Sequence, residues 1–315
     1  MKKIDAHAHV FDHIGSMGKA GELRPLGNGN CRWATGEEFR IIPEGKGDKE
    51  YLVETFMDVM DENDVEKAIL LQGVLYGLQN EYAMECAEKY PDRFKAAVML
   101  DPLCRCAQQI LDHFINDLHA HVFKFEVSVG GGLSGYHRDF AVDGPEMTVL
   151  IDRIAQVEDA TLVLDIGSPN QSSCQPEAVY RLAKKYPGLH IVVCHLLAPS
   201  LEDGDVLKCA LPYLAHDNVW VDLSALPWNV APEAYPYPTA LEYIAMAKDV
   251  LGADKIIWGT DSPCVLTSST TRTSIASSRT PTSSPTPRSR VSSTITPSRP
   301  TTSRSFSAVQ GFVGV

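Results

Sequence analysis

The sequence predicts an α/β protein, a TIM-like (β/α)8 barrel. Three observations point there. Short apolar or β-branched runs alternate with helix-like segments from Lys3 to Gly259. Several of the runs are apolar at every position rather than at alternate ones. Metal-competent polar groups recur where those runs end. Strands apolar on both faces belong to parallel sheets covered by helices, and eight such strands with helices between them form a barrel.

The strands are expected over Lys3–Phe11, Lys67–Val74, Lys95–Leu100, His121–Val127, Thr161–Ile166, His190–His195, Val219–Leu223 and Lys255–Gly259. The runs Ala68-Ile69-Leu70-Leu71 and Ile191-Val192-Val193-Cys194 carry the continuous apolar signal. Helices are expected over Tyr51–Asn63, Glu81–Tyr90, Ala107–Leu118, Pro145–Gln156, Pro176–Tyr186, Leu201–Ala215 and Ala240–Leu251. A long loop rich in Gly and charge, Asp12–Lys49, separates the first strand from the first helix. The eighth helix should follow Asp261, but a Ser/Thr/Pro/Arg-rich tail stands in its place. The expected division is therefore a barrel over 1–266 and a low-complexity tail over 267–315.

Composition narrows the function. A chain of 315 residues, 44% of them hydrophobic, can bury a large core. No apolar run reaches the length of a membrane span, and a first strand at Lys3 leaves no room for a leader. The eight cysteines are scattered, which fits free thiols in a reducing cytoplasm. A net charge of −12 argues against nucleic acid. Six arginines are the tail's only charges, so residues before 267 hold all 40 acidic groups against 22 of the 28 basic ones, a net −18. The expected partner is a small-molecule substrate, with neither nucleic acid nor membrane, and at most a second copy in a homodimer.

The N-terminal run Asp5-Ala6-His7-Ala8-His9 is the sharpest local signal. Residues two apart in a strand share a face, so His7 and His9 can bind one ion through both imidazoles. The alternative is two ordinary histidines on an amphipathic strand. A barrel then demands catalytic groups at the C-terminal strand ends. Reading those ends adds Lys124 and Glu126, Asp165, His195 and Asp261. Each has a structural alternative. His195 could cap a buried carbonyl, Asp261 could serve the turn before Ser262-Pro263, and Asp165 could cap a helix. Lys124 and Glu126 could simply neutralise each other.

Taken together, DAHAH, VVCHL and WGTDSP resemble the amidohydrolase superfamily, specifically the amidohydrolase-2 group related to aminocarboxymuconate-semialdehyde decarboxylase. The resemblance covers residues 2–263. It implies a distorted barrel with one divalent ion, zinc first and manganese second, with His7, His9, His195 and Asp261 at matching positions. The family usually adds a histidine at the end of the fifth strand, where this chain has Leu162-Val163-Leu164-Asp165. Asp165, Glu126 or a carboxylated Lys124 could fill that place, since hard oxygen ligands suit zinc and manganese.

Arg32 and Trp33 in the long loop are candidate substrate contacts, as is Lys124; both loop residues could equally just pack the loop. Gly130-Gly131-Gly132 with Tyr136-His137-Arg138 could approach an anion or merely turn. The expected chemistry lowers the pKa of a water on the metal toward neutrality, with Asp261 or His195 as catalytic proton acceptor and the metal stabilising the oxyanion. The first reading is a hydrolase of a small carboxylated amide, ester or lactone. The second is a decarboxylase or hydratase of a small unsaturated or aromatic acid. The third is an inactive barrel.

The tail reads as a shifted reading frame. Thr (ACN) and Ser (TCN) codons read one base early become NAC and NTC, so the stretch from Thr282 to Pro287 can decode as Asp-Ile-Phe-Thr-Asp-Ala. That phrase resembles the family's amphipathic C-terminal helix. The shift would begin near Ser269 or Thr270 and would leave the last and first strands without the helix that covers them, with poor order after Thr267. A natural low-complexity linker is the alternative.

Overall fold

In the computed structural model, which describes residues 2–268, the chain opens with β1 (Lys3–Ala8). There follow β2 (Ser16–Gly18), β3 (Gly21–Gly27), β4 (Asn30–Trp33), β5 (Glu38–Arg40) and α1 (Val53–Glu62). Then come β6 (Val65–Leu70), α2 (Asn80–Lys89), β7 (Phe94–Val98), α3 (Ala107–Asn116), β8 (Val122–Glu126) and α4 (Pro145–Ile154). The second half runs β9 (Thr161–Asp165), α5 (Pro176–Lys185), β10 (His190–Val193), α6 (Gly204–Ala210) and β11 (Val219–Asp222). It finishes with α7 (Leu226–Asn229), α8 (Pro238–Leu251) and β12 (Ile256–Ile257). Proline opens α4, α5 and α8, where its missing N–H costs nothing.

Eight parallel strands order as β1-β6-β7-β8-β9-β10-β11-β12. The ring closes between β12 and β1 through Ala6 N to Trp258 O at 3.0 Å, His9 N to Ser262 O at 2.8 Å and an isolated bridge from Ala8 to Ser262. The Asp5 carboxylate fastens the same seam, accepting the Thr260 amide at 2.9 Å and its hydroxyl at 2.6 Å. Gly259 lets the two chains approach so closely, because a Cβ there would lie 2.7 Å from that of His7.

The interior is packed rather than open. A buried cluster inside the ring takes Ala6, Ile69, Ala97, Val122, Val163, Val192, Trp220 and Ile257, at least one side chain from each barrel strand, with Leu71 and Cys194 beside them. A larger apolar cluster fills the space between the later strands and α3–α8, and another sits between β1, β6, α1, α2 and the N-terminal insertion. No helix among the described residues is long and apolar enough to cross a membrane.

Three expectations need correction. The segment after β1 is not a loop: β2–β5 pair into a four-stranded antiparallel sheet. Gly at 21 and 27 and Asn28 take positive φ at its turns, so the glycines that suggested a loop are hairpin punctuation. The helix expected over Leu201–Ala215 is α6 followed by a 3-10 turn at Leu211–Leu214, because Pro212 lacks the N–H that would continue it. The strand expected over Lys255–Gly259 pairs only at Ile256 and Ile257. After β12 the described residues hold only a 3-10 turn, Cys264–Thr267. The shifted-frame reading and the expected poor order of the tail fall on residues 269–315, outside the described residues.

Candidate active site

The sequence places polar groups at strand ends, and the fold brings all seven of them into one cavity of about 210 Å³ at the C-terminal face of the barrel. His7, His9, Lys124, Glu126, Asp165, His195 and Asp261 all line it, together with Tyr76, Trp228 and Asn229. Simple alternation along β1 would put Ala6 opposite the histidines. A register shift between Asp5 and Ala8 in the β1–β6 pairing lets Ala6 fill the barrel floor while His7 and His9 face the cavity above it. Their ring centroids are 5.1 Å apart.

Each ring is aimed by a bond on its Nδ1. His7 Nδ1 meets Asp222 Oδ2 at 3.0 Å, and His9 Nδ1 meets the Leu71 carbonyl at 2.9 Å. Both partners are acceptors, so each ring carries its proton on Nδ1 and turns a lone pair on Nε2 toward the cavity. Burial lowers the pKa of both, that of His9 to about 4, so both imidazoles are neutral near pH 7. Asp261 Oδ1 lies 3.1 Å from His9 Nε2 and 3.6 Å from His7 Nε2. Burial alone would raise the Asp261 carboxyl, but its contact with His9 and the positive charge of His195 hold it well below the usual carboxylate range.

His195 follows β10 on a turn in which four successive residues, His195 to Ala198, have positive φ. Such conformations cost L-residues roughly 1–2 kcal/mol each, and they persist where the surroundings over-determine them. The surroundings here are Asp222 Oδ1, which accepts the His195 amide at 3.0 Å, and Ser224 Oγ, 2.8 Å from His195 Nδ1. His195 Nε2 is left 3.6 Å from Asp165 Oδ2. Burial would depress this imidazole, yet Asp165, Asp261 and Asp222 outweigh it and raise its pKa to about 10.

The donor set fits a divalent ion. His7 Nε2 is buried and lacks a hydrogen-bond partner. It lies with His9 Nε2 and an Asp261 oxygen within 4.8 Å of one another. Two ligands on one tetrahedral zinc sit roughly 3.3 Å apart, from bond lengths of about 2.0–2.1 Å, close to the two distances to Asp261. Three carboxylates, those of Glu126, Asp165 and Asp261, face the cavity against two cationic groups, Lys124 and His195, a net negative lining that attracts a cation.

The other candidates sort by their partners. Asp165 accepts the Gly167 amide at 3.0 Å and pairs with His195; it caps no helix, because α5 begins after Gln175. Glu126 Oε2 accepts the Val74 amide at 2.7 Å. Burial raises the Glu126 carboxyl while Lys124 opposes the shift. Burial would lower the Lys124 ammonium, but Glu126, Asp165 and Asp261 keep it charged. Arg32 and Trp33 do not line the cavity. Arg32 lies 3.5 Å from Glu38, and Trp33 stacks with Phe39 in the antiparallel sheet. Gly132 is glycine because a Cβ there would meet the Glu126 carbonyl at 2.5 Å. His137 pairs with Asp101 at 2.6 Å away from the cavity lining.

Asp222 escaped the sequence reading although it ends the seventh barrel strand as Trp220-Val221-Asp222. It holds His7 through one oxygen and His195 through the other. Replacing Asp222 with Asn puts an amide N–H against His7 Nδ1, so the ring must move its proton to Nε2 and lose its ligand lone pair. The expected result is a folded protein with metal affinity reduced about 10- to 100-fold, measured by chelator competition. An unchanged affinity would show that Asp222 only packs.

A family model described as amidohydrolase matches residues 4–276. The L-fucono-1,5-lactonase of Burkholderia ambifaria is 37% identical over 92 residues, 27% of this chain and 30% of that enzyme, so the match spans under a third of the lactonase. An amidohydrolase of Burkholderia multivorans with bound Zn superposes with a TM-score of 0.63 at 15% identity, covering 88% of this chain and 89% of that one. A probable 2-pyrone-4,6-dicarboxylic acid hydrolase of Acinetobacter baumannii, with citric acid bound, gives 0.59 at 18% identity, covering 84% and 85%. At these identities the two structures establish a shared fold.

Proposed function

The chain belongs to the amidohydrolase family, and on that premise we propose that it is a metal-dependent hydrolase of a small carboxylated lactone or related ester. The gathering of His7 Nε2, His9 Nε2 and the Asp261 carboxylate on one cavity carries this reading. The names of two relatives, a fuconolactonase and a probable pyrone hydrolase, support a cyclic ester. A donor set of two imidazoles and a carboxylate suits zinc, and the zinc in the B. multivorans relative supports that choice.

When bound, such an ion supplies Lewis acidity and acidifies a water at the site. The chain's own groups do the rest. Asp261, ionised and partly open to the cavity, accepts the proton of the attacking water. His195 keeps Nδ1 on Ser224 and turns a protonated Nε2 to the cavity, where it can donate to the oxygen on which negative charge develops. Lys124 holds the substrate carboxylate in surroundings where its charge is weakly screened. Tyr76, stacked on Phe11 with ring centroids 4.6 Å apart, supplies an apolar part of the cavity wall.

Zinc-loaded protein should release one hydroxy acid, and one proton, per lactone opened in a pH-stat assay across a panel of small carboxylated lactones. Loss of carbon dioxide from small unsaturated or aromatic acids, with the lactones untouched, would overturn hydrolysis in favour of decarboxylation.

A further inference from the structure

Helix α7 leaves the seventh barrel strand at the active face and has no role in the chemistry above. Ala225, in left-handed conformation at φ 61°, turns the chain into it. Leu226, Pro227 and Val230 are buried and anchor the segment to the core. That anchoring leaves Trp228 and Asn229 on the cavity wall. Asn229 Nδ2 is shielded from solvent and has no acceptor among the described residues. Buried donors in folded proteins are nearly always satisfied, so the acceptor for this one comes from what the cavity holds. Trp228 keeps 41% of its surface exposed, a large apolar face with no ring packed on it among the described residues. The remaining wall limits charge. Lys124 is the one lysine or arginine among the described residues lining the cavity; with His195 assigned to the developing oxyanion, Lys124 is the group left to pair with one carboxylate on the ligand. The volume of about 210 Å³ admits a single substituted ring.

Resting on the lactone reading, we propose that α7 is the specificity element, and that the substrate is a hydroxylated monocarboxylate lactone of the sugar-acid class. Asn229 donates to a ring hydroxyl oxygen, Trp228 packs on the ring's C–H face, and Lys124 takes the single carboxylate. A site with a buried donor aimed at a hydroxyl discriminates against the analogue that lacks it, because the donor is then left unpaired.

Two probes differ in this respect: a γ-monolactone of glucaric acid, and the γ-lactone of α-hydroxyglutaric acid, which keeps a five-membered lactone ring and one carboxylate but lacks the ring hydroxyls and the CH(OH) carbon between ring and carboxylate. Wild-type protein should favour the hydroxylated probe in kcat/KM. Asn229→Ala should reduce that preference roughly tenfold, mainly through KM, as expected for one hydrogen bond. Asn229→Asp, which keeps the shape and removes the donor, should do the same. Trp228→Ala should raise KM for both probes. An unchanged preference in the two Asn229 variants overturns the inference and leaves the lactone reading intact. If wild type opens neither lactone, the lactone reading fails. Calorimetric binding of the open acid glucarate to wild type and Asn229→Ala then decides the role of α7: a roughly tenfold weaker Kd supports it, and an equal Kd overturns it.

Discussion

A His7→Ala, His9→Ala double variant is expected to carry no stoichiometric divalent ion. The two Nε2 atoms are two of the three ligand atoms that gather within 4.8 Å, and the third, on Asp261, has no further nitrogen donor in that group. A lone carboxylate binds zinc weakly in water, whereas histidine-based sites reach high affinity through several nitrogens on one ion. The structural cost is moderate. Asp222 keeps the His195 and Ser224 amides, each at 3.0 Å, when it loses His7. The freed oxygen and the Leu71 carbonyl cost about 1–3 kcal/mol each if they find no water. The histidines sit at the upper edge of the barrel, above the interior cluster, so the fold should persist by circular dichroism. Metal analysis of purified protein checks the expectation. Full metal content in a folded double variant would falsify the site.

Asp261→Asn should remove most turnover, by about 10²–10⁴-fold, the usual loss for a general base. Asparagine is the right replacement for a backbone reason. Asp261 has φ 59°, a region that Asn tolerates better than almost any other non-glycine residue. The main-chain bond from the Asp261 amide to the His7 carbonyl at 2.7 Å is untouched. What the amide cannot do is accept a proton. Comparing kcat at saturating zinc, with thermal melts alongside, separates the two roles of the residue. Near-normal kcat would reduce Asp261 to a turn residue.

Much of this architecture is legible in the sequence, for definite reasons. Parallel strands such as β9 and β10 are buried at nearly every position, so their apolar runs announce them. The His-x-His pair, His195 and Asp261 announce themselves because barrel chemistry sits where strands stop. The same rule applied to the seventh strand would have pointed to Asp222. Three things were hidden. The antiparallel sheet β2–β5 has strands of three to seven residues with mixed burial, too short and too polar for periodicity to show. The shift in β1 that lets Ala6 and His7 share the barrel's interior depends on the register of β6, a partner some sixty residues away. Helix α7 has four residues, and nothing local in Leu226-Pro227-Trp228-Asn229 distinguishes a cavity wall from a surface turn. Arg32 and Trp33 misled for a related reason: their chemistry suits a ligand, but β4 holds them in the antiparallel sheet, off the cavity.

The closure of the ring between β12 and β1 gives the site a mechanical character. Most neighbouring barrel strands share ladders of three to five residue pairs; here two residues of β12 pair with β11, and β1 meets β12 through no ladder at all but through a few bonds and the Asp5 clasp. His7 and His9 stand on one side of this clasp and Asp261 on the other. Parting the hoop at its thinnest point therefore also parts His9 from Asp261, so an unclasped barrel has no assembled site. For this protein, being closed and being competent are one geometric condition.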